Sequence, residues 1–589
     1  MTEATIVTGG QFLTASLEAG DIFTREDLTD EQRMFGQTAA EFMRGEVLPN
    51  EARLFAHDWD FTRVLLRKAA ALDLLRLEIP EAYGGLGLDK ISAAYVGEQI
   101  AVNPSFAGSL GAHTSIGTLP LVYFGNDAQK AQYLPRLASG ELIAAYALTE
   151  PQSGSDALAA RTTAVLSADG RHYLLNGSKM WITNGGFADL FTIFAKVNGE
   201  QFTAFLVERG MGVVSGSDEK KLGLDGSSTT ALMLDNVKVP VENVLGVIGE
   251  GHKVAFNILN IGRVKLGTRN MAGSKQALAQ ATKYAKERRQ FGKAIAEFGL
   301  IKHKLAEMSI RCYVGDAMVY RALGDVDRAL ESVGQTDSAG VLKTIERFAV
   351  ECSVNKVYTS EALAYVVDEA VQVFGGNGYS REFPVERAYR DARITRIYEG
   401  TNEINRLIIA TRMLKQIAGS KVLGSKVLGS GTRKAEPGAG NREAGTPNLL
   451  AEHSLLAQGK ELALAMLSEA AAAYGEGVKQ EQEVLAHAAN VIIDAYAIES
   501  ALARTEKLAA ARSGEAAAVA VDGARVFVSD AADRMMHAGR QVLRALTARG
   551  QASQLADKMA PMATFAGVDT IAARRRIADA VIAAGKHPF

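Results

Sequence analysis

Apolar side chains at Phe35, Ala39, Phe42 and Val47 follow the spacing of one helical face, with Asp30 as N-cap and Pro49 as the stop. Val64-Leu65-Leu66 through Leu72-Leu74-Leu75 predicts a buried helix ending before Pro80, and Asp127 to Leu137 a short one stopped by Ser139-Gly140. The period then changes. Between Arg161 and Asn243, short β-branched and aromatic runs (His172 to Gly177, Leu190 to Gly199, Phe202 to Val207) are punctuated by Gly, Asn and Asp. That pattern predicts a compact antiparallel β-domain rather than βαβ units. Helical spacing returns from Gly251 to about Ala418, with one interruption near Phe291-Gly292. Gly419 to Thr446 duplicates Gly-Ser-Lys-Val-Leu and then turns Gly-, Pro- and charge-rich, as a flexible linker does. Leu449 to Phe589 is rich in Ala, Glu and Leu and reads as helical. The expected division is an N-terminal extension (1–29), a helical domain (30–145), a middle β-domain (146–250), a second helical domain (251–418), a linker (419–446) and a C-terminal helical domain (447–589). The fold class is mainly α around a central antiparallel β-domain.

Composition narrows the class. Lys and Arg total 65 against 67 Asp and Glu, which leaves no bulk electrostatic reason to bind nucleic acid. Apolar residues at 47% suffice for a sizeable core and exclude a mainly disordered chain. Two cysteines, Cys312 and Cys352, exclude a disulfide framework and a four-thiolate metal site. Met1 to Gly20 lacks Lys and Arg, and no run of 18 or more residues stays apolar, so neither a targeting signal nor a spanning helix is expected. The expected location is cytoplasmic. No Gly-x-x-x-x-Gly-Lys-Ser/Thr loop, strand-linked Gly-x-Gly-x-x-Gly or His-Glu-x-x-His is present, and no histidine pair has metal-ligand spacing, so no metal site is expected.

Three segments carry candidate chemistry. Tyr146-Ala-Leu-Thr-Glu-Pro-Gln-Ser-Gly-Ser-Asp156 is dense in hydroxyls and backbone donors, suited to a polar heterocycle or a phosphate, or equally to a domain junction. Trp181-Ile-Thr-Asn-Gly-Gly186 sets an aromatic and a hydroxyl at a strand end, or forms a capped hairpin. Arg393-Ile-Thr-Arg-Ile-Tyr-Glu-Gly-Thr-Asn-Glu403 sets a carboxylate beside a glycine; most such glutamates are solvated or ion-paired.

Taken together, with Gln372-Val-Phe-Gly-Gly-Asn-Gly-Tyr379 between the second and third, these segments resemble the acyl-CoA dehydrogenase family from about Asp30 to Ile417. Leu110-Gly-Ala-His113, Leu259-Asn-Ile-Gly-Arg263, Phe298-Gly-Leu-Ile301 and the extra C-terminal helical domain are most similar to its very-long-chain branch. The resemblance implies FAD-dependent oxidation of a long-chain acyl-CoA to the trans-2-enoyl-CoA, with Glu399 as base and hydride passing to flavin N5. It implies FAD contacts from Tyr146, Leu148, Thr149 and Ser155, from Trp181 and Thr183, and from Thr401 and Glu403. Arg288, Phe291, Gln372 and Gly376 match positions that reach a neighbouring subunit's cofactor, hence a homodimer. Substrate contacts fall to Ser155, Asn260, Arg263 and Gly400, with the acyl slot along Gly108 to Gly111. This chain has Asn260 where other branches carry Asp. An electron-transferring flavoprotein is the implied acceptor; an acyl-CoA oxidase and an assembly scaffold retaining the fold are the competing readings. For the C-terminal domain the resemblance implies peripheral contact at the inner membrane surface, supported by Lys421, Lys426, Arg433, Lys434 and Arg574-Arg575-Arg576, with dimer stabilisation as the alternative.

Overall fold

The computed structural model describes residues 9–15, 17–333, 338–419, 447–511, 514–565 and 567–589. The predicted linker beyond Gly419, with Lys421, Lys426, Arg433 and Lys434, lies outside them. The N-terminal helices are α1 (Asp30–Phe42), α2 (Glu51–Phe55), α3 (Trp59–Ala71), α4 (Lys90–Ile100), α5 (Pro104–Gly111), α6 (Leu119–Phe124) and α7 (Asp127–Ala138). The expected cap moves by one residue. Thr29 rather than Asp30 caps α1, because its hydroxyl accepts from the Gln32 N–H while the Gln32 side chain reaches back to the Thr29 N–H, leaving Asp30 in the first turn.

Eight strands form one sheet: β1 (Ala144–Ala147), β2 (Thr163–Leu166), β3 (His172–Thr183), β4 (Leu190–Val197), β5 (Gln201–Glu208), β6 (Val214–Asp218), β7 (Thr229–Pro240) and β8 (Val244–Leu245), in the order β6-β7-β3-β2-β4-β5-β8 with β1 on β4. Most pairings are antiparallel as expected; β1–β4 and β2–β4 are parallel. Strand alternation cannot reveal this, since both pairings read out the same side-chain pattern. Buried His113 fixes β1 to the helical layer: its Nδ1 accepts from the Ala144 N–H and its Nε2–H donates to the Leu137 carbonyl. Burial pulls its pKa down to about 4, so the ring stays neutral in this bridge.

Long helices follow: α8 (Gly251–Glu287), α9 (Gly299–Glu331), α10 (Ser338–Arg347), α11 (Ala349–Phe374), α12 (Pro384–Ala392) and α13 (Asn402–Gly419). The interruption expected near Phe291 is a two-stranded hairpin, Arg289-Gln290 paired with Lys293-Ala294. The C-terminal helices are α14 (Leu450–Tyr474), α15 (Gln482–Ala511), α16 (Glu515–Ala548), α17 (Leu555–Ala563) and α18 (Thr570–Ala584). They share one apolar core with the preceding bundle: α15 packs on α9 and α13, and α18 on α9. The N-terminal extension runs into the same joint, with Phe12 buried edge-on against Tyr496 at 4.9 Å.

Candidate active site

The first predicted loop is folded by its own carboxylate. Glu150 accepts from the Arg161 and Thr162 N–H groups and the Thr162 hydroxyl, and pairs with buried Lys179 at 2.7 Å. That fastens the loop to β3, where the Met180 N–H also donates to the Thr149 carbonyl. The Tyr146 ring sits edge-on to Phe194, and its hydroxyl donates to the Ala255 carbonyl of α8. Ser155 is exposed on the loop, while Leu148 and Thr149 are half-buried. Just beyond, the β3–β7 register shifts between Lys179 and Ile182, and Trp181 sits in the bulge at φ +61°, half-exposed.

Glu399 follows the short helical turn Arg393–Arg396 and has φ +58°, with Gly400 at +81°. Two positive-φ residues in succession turn the chain sharply into α13, and glycine at the second avoids the Cβ clash. The turn is pinned from below. Asn405 Nδ2 donates to the Gly400 and Thr401 carbonyls, and Arg263 Nε donates to the Glu399 carbonyl at 3.0 Å while its Nη1 donates to Asn260 Oδ1. Asn260 and Arg263 are therefore buried behind the carboxylate rather than open to ligand. Thr401 accepts from the Ile404 N–H as a helix cap, and Glu403 is exposed.

A cavity of about 520 Å³ brings Glu399 together with Trp181 and Thr183, and Gly108 and Gly111 line it. Glu399 Oε2 is shielded from solvent and has no hydrogen-bond partner. Gly262 of α8 lies against this carboxylate: a Cβ there would fall 2.8 Å from Oε2. Burial pushes the Glu399 pKa above the ordinary range, opposed by the nearby Arg263, Arg269 and Lys356 charges. Among the described residues, no acceptor is found for the Glu399 backbone N–H.

The remaining predicted residues form a separate surface. Arg288, Gln372 and Gly376 are exposed, and Phe291 is 93% exposed at the hairpin tip. Tyr284 stacks on Phe374 at 4.1 Å and its hydroxyl accepts from Asn377, so the hairpin base and the 375–379 turn are joined. None of the four lines the cavity. Among the cavity residues that the sequence does not single out are Lys265 and Arg269. The available signal was their position, three and seven residues after Gly262 on one helical face.

Profiles described as acyl-CoA dehydrogenase N-terminal domain, middle domain and C-terminal domain match residues 29–141, 145–237 and 249–414, and a second C-terminal-domain profile matches 458–556. The chain belongs to the acyl-CoA dehydrogenase family. This dehydrogenase is 43% identical to a probable acyl-CoA dehydrogenase of Bacillus subtilis, over 99% of both chains. It is 40% identical to the human very long-chain specific acyl-CoA dehydrogenase, over 73% of this chain and 68% of that one. Its fold superposes on a Bacillus anthracis acyl-CoA dehydrogenase complexed with FAD with a TM-score of 0.91, at 40% identity and covering 99% and 100% of the two chains. It is an oxidoreductase and uses FAD. The cavity suits that group: a half-exposed indole offers a face to a planar ring, and a shielded carboxylate without partner stands in the same space. No helix among the described residues is long and apolar enough to cross a membrane.

Proposed function

We propose that this chain dehydrogenates acyl-CoA thioesters across Cα–Cβ, giving the trans-2-enoyl-CoA, with Glu399 taking the α-proton. The observation that carries the reading is the shielded, unpartnered Glu399 Oε2 on the cavity it shares with Trp181 and Thr183. A carboxylate kept from water is a stronger base than an exposed one, and its neighbouring cations keep enough of it ionised to act. The free Glu399 N–H is placed to donate to the thioester carbonyl as charge moves onto it, and Gly400 lets that carbonyl approach. Arg263 acts as a positioning residue: it holds the Glu399 carbonyl and so the turn that aims the carboxylate. Bound FAD supplies the two-electron acceptor for the hydride leaving Cβ. Tyr146, Leu148, Thr149, Ser155, Trp181, Thr183, Thr401 and Glu403 are the proposed contacts to it within the subunit. Arg288, Phe291, Gln372 and Gly376 are the proposed contacts to a second subunit's FAD, supported by their exposure on one joined patch outside their own cavity lining.

The proposed substrate is a long acyl chain, because Gly108, Ala112, Gly273 and Ala277 leave the cavity walls low. The proposed electron acceptor is an electron-transferring flavoprotein. Anaerobic titration with C4 to C20 acyl-CoAs tests both the reaction and the chain length. The flavin is expected to bleach with a kcat/KM optimum at long chains, and an optimum at butyryl- or hexanoyl-CoA overturns the length assignment. Glu399→Gln is expected to keep FAD and lose at least about a hundredfold in bleaching rate; near-normal reduction would remove Glu399 from its role. Stoichiometric peroxide in air would replace the flavoprotein acceptor with oxygen.

A further inference from the structure

The cavity contains a cation, Arg269, whose charge opposes the rise in the Glu399 pKa but whose guanidinium has no hydrogen-bond partner of its own among the described residues. Arg269 lies on α8 seven residues beyond Gly262, about two turns and on the same face, so it lines the slot beyond the catalytic carboxylate. Its guanidinium is seated between two glycines from facing helices. A Cβ at Gly97 of α4 would come 3.8 Å from Nε, and any side chain at Gly111 of α5 would collide with the terminal nitrogens. Among the described residues, the Arg269 side chain makes no hydrogen bond and no ion pair, and the charges it feels are those of Tyr398 and Glu399.

Its enclosed neighbours differ. Lys265 pairs with Glu78, Arg263 is bonded to the Glu399 carbonyl and Asn260, and Lys356 donates to Asn402. The other carboxylates on the cavity are committed: Glu399 stands at the reacting carbons, and Asp391 accepts from the Leu224 N–H. Ser115, also on the cavity wall, has a buried hydroxyl without a partner. A methylene chain laid against this guanidinium would strip its water and return nothing, whereas a carboxylate would meet it with two parallel charge-assisted hydrogen bonds.

We propose that Arg269 anchors a carboxylate at the far end of the acyl chain, so that the enzyme accepts ω-carboxyacyl-CoA thioesters of medium length. This rests on the dehydrogenation reading of the same cavity. Length follows from placement. The Cα atoms of Gly262 and Arg269 are about 10 Å apart along α8, and a helical side chain leans back toward the N-terminus, so the guanidinium stands closer to the reacting carbons than the end of a long chain would. A site built to pair a charge rejects the analogue lacking it more strongly than an apolar slot rejects an extra methylene.

The test uses the full-length FAD-loaded protein and matched pairs: adipyl-, suberyl-, sebacyl- and dodecanedioyl-CoA against hexanoyl-, octanoyl-, decanoyl- and dodecanoyl-CoA. kcat/KM is measured on the wild type, and equilibrium binding of the same pairs by calorimetry on Glu399→Gln. The expected result is a preference of at least about tenfold for the ω-carboxy partner at one or more lengths in both readouts. Arg269→Met is expected to abolish it. Equal or better use of the plain chain at every length overturns the proposal, as does a preference that survives Arg269→Met. The wild-type comparison stands whether or not the variant folds. If neither the eight thioesters nor any C14 to C20 acyl-CoA bleaches the flavin, the dehydrogenation reading fails, and binding to Glu399→Gln still decides whether Arg269 selects a carboxylate.

Discussion

Glu399 is held at a positive φ that costs of order 1–3 kcal/mol, and the surrounding hydrogen bonds from Arg263 and Asn405 keep it there. Trp181, across the same cavity, is held at a similar φ by the β3 bulge. Burial raises the Glu399 pKa above the ordinary 4.5, and only the carboxylate accepts a proton. The rate of flavin bleaching should therefore fall on the acid side with a midpoint above 4.5, and the limb should vanish in Glu399→Gln; rapid-mixing kinetics from pH 5 to 9 would show it. The carboxylate, the indole and the hydroxyl were legible in the sequence because each sits in a short, ordered motif. Arg263 was legible as a site residue, yet its placement beneath the base depends on the turn at Glu399-Gly400, which only the backbone reveals. Arg269 was hidden for a different reason: a single arginine inside a long helix is ordinary, and its meaning lies in glycines on two other helices.

Helices and strands emerged from periodicity wherever one face is buried, as in α1, α7 and β3, and the interruption at Phe291 became a hairpin. What periodicity could not disclose was which elements meet. Gly10, in the N-terminal extension, donates its N–H to buried Glu351 of α11 at 2.7 Å, while Glu351 Oε2 has no partner. Burial pushes the Glu351 pKa up to about 7, against the Gly10 bond. A carboxyl raised in the folded state contributes its stability in acid and loses it as pH rises from the unfolded value toward 7. Glu351→Gln keeps an acceptor for Gly10 and cannot ionise. It should be close to wild type in stability near pH 5 and more stable by roughly 3 kcal/mol near pH 8, read from urea unfolding at the two pH values. A variant less stable than wild type at pH 8 would mean that the ionised carboxylate is the favoured form.

The C-terminal helices are joined to the rest by buried charge as well as by apolar contact. Arg321 of α9 pairs with Glu499 of α15 at 2.7 Å and lies over the Tyr496 ring; Arg504 of α15 pairs with Glu26 at 2.7 Å and donates to the Tyr313 carbonyl; Arg574 of α18 pairs with Glu307 of α9 at 2.6 Å. The basic run at 574–576, expected to favour a membrane surface, is thus largely committed: Arg574 also bonds Asp530, and Arg576 bonds Asp522. Such pairs contribute little net stability beside an apolar alternative, but removing one partner strands the other at a cost of about 3–5 kcal/mol. Deleting the C-terminal domain would take Glu499 from Arg321 and Arg504 from Glu26, leave Glu307 with Arg311 alone, and uncover the apolar faces of α9 and α13. A chain ending at Gly419 is accordingly expected to aggregate or to melt well below the full chain. Supplying residues 447–589 as a separate co-expressed piece should restore it, because the described residues of the two pieces share one continuous apolar core. Co-purification of the two pieces in equal amounts, with a thermal midpoint near that of the intact chain, is the expected outcome. A soluble 1–419 piece with full thermal stability would show that the bundle closes without its C-terminal partner, and would leave those ion pairs without a structural purpose.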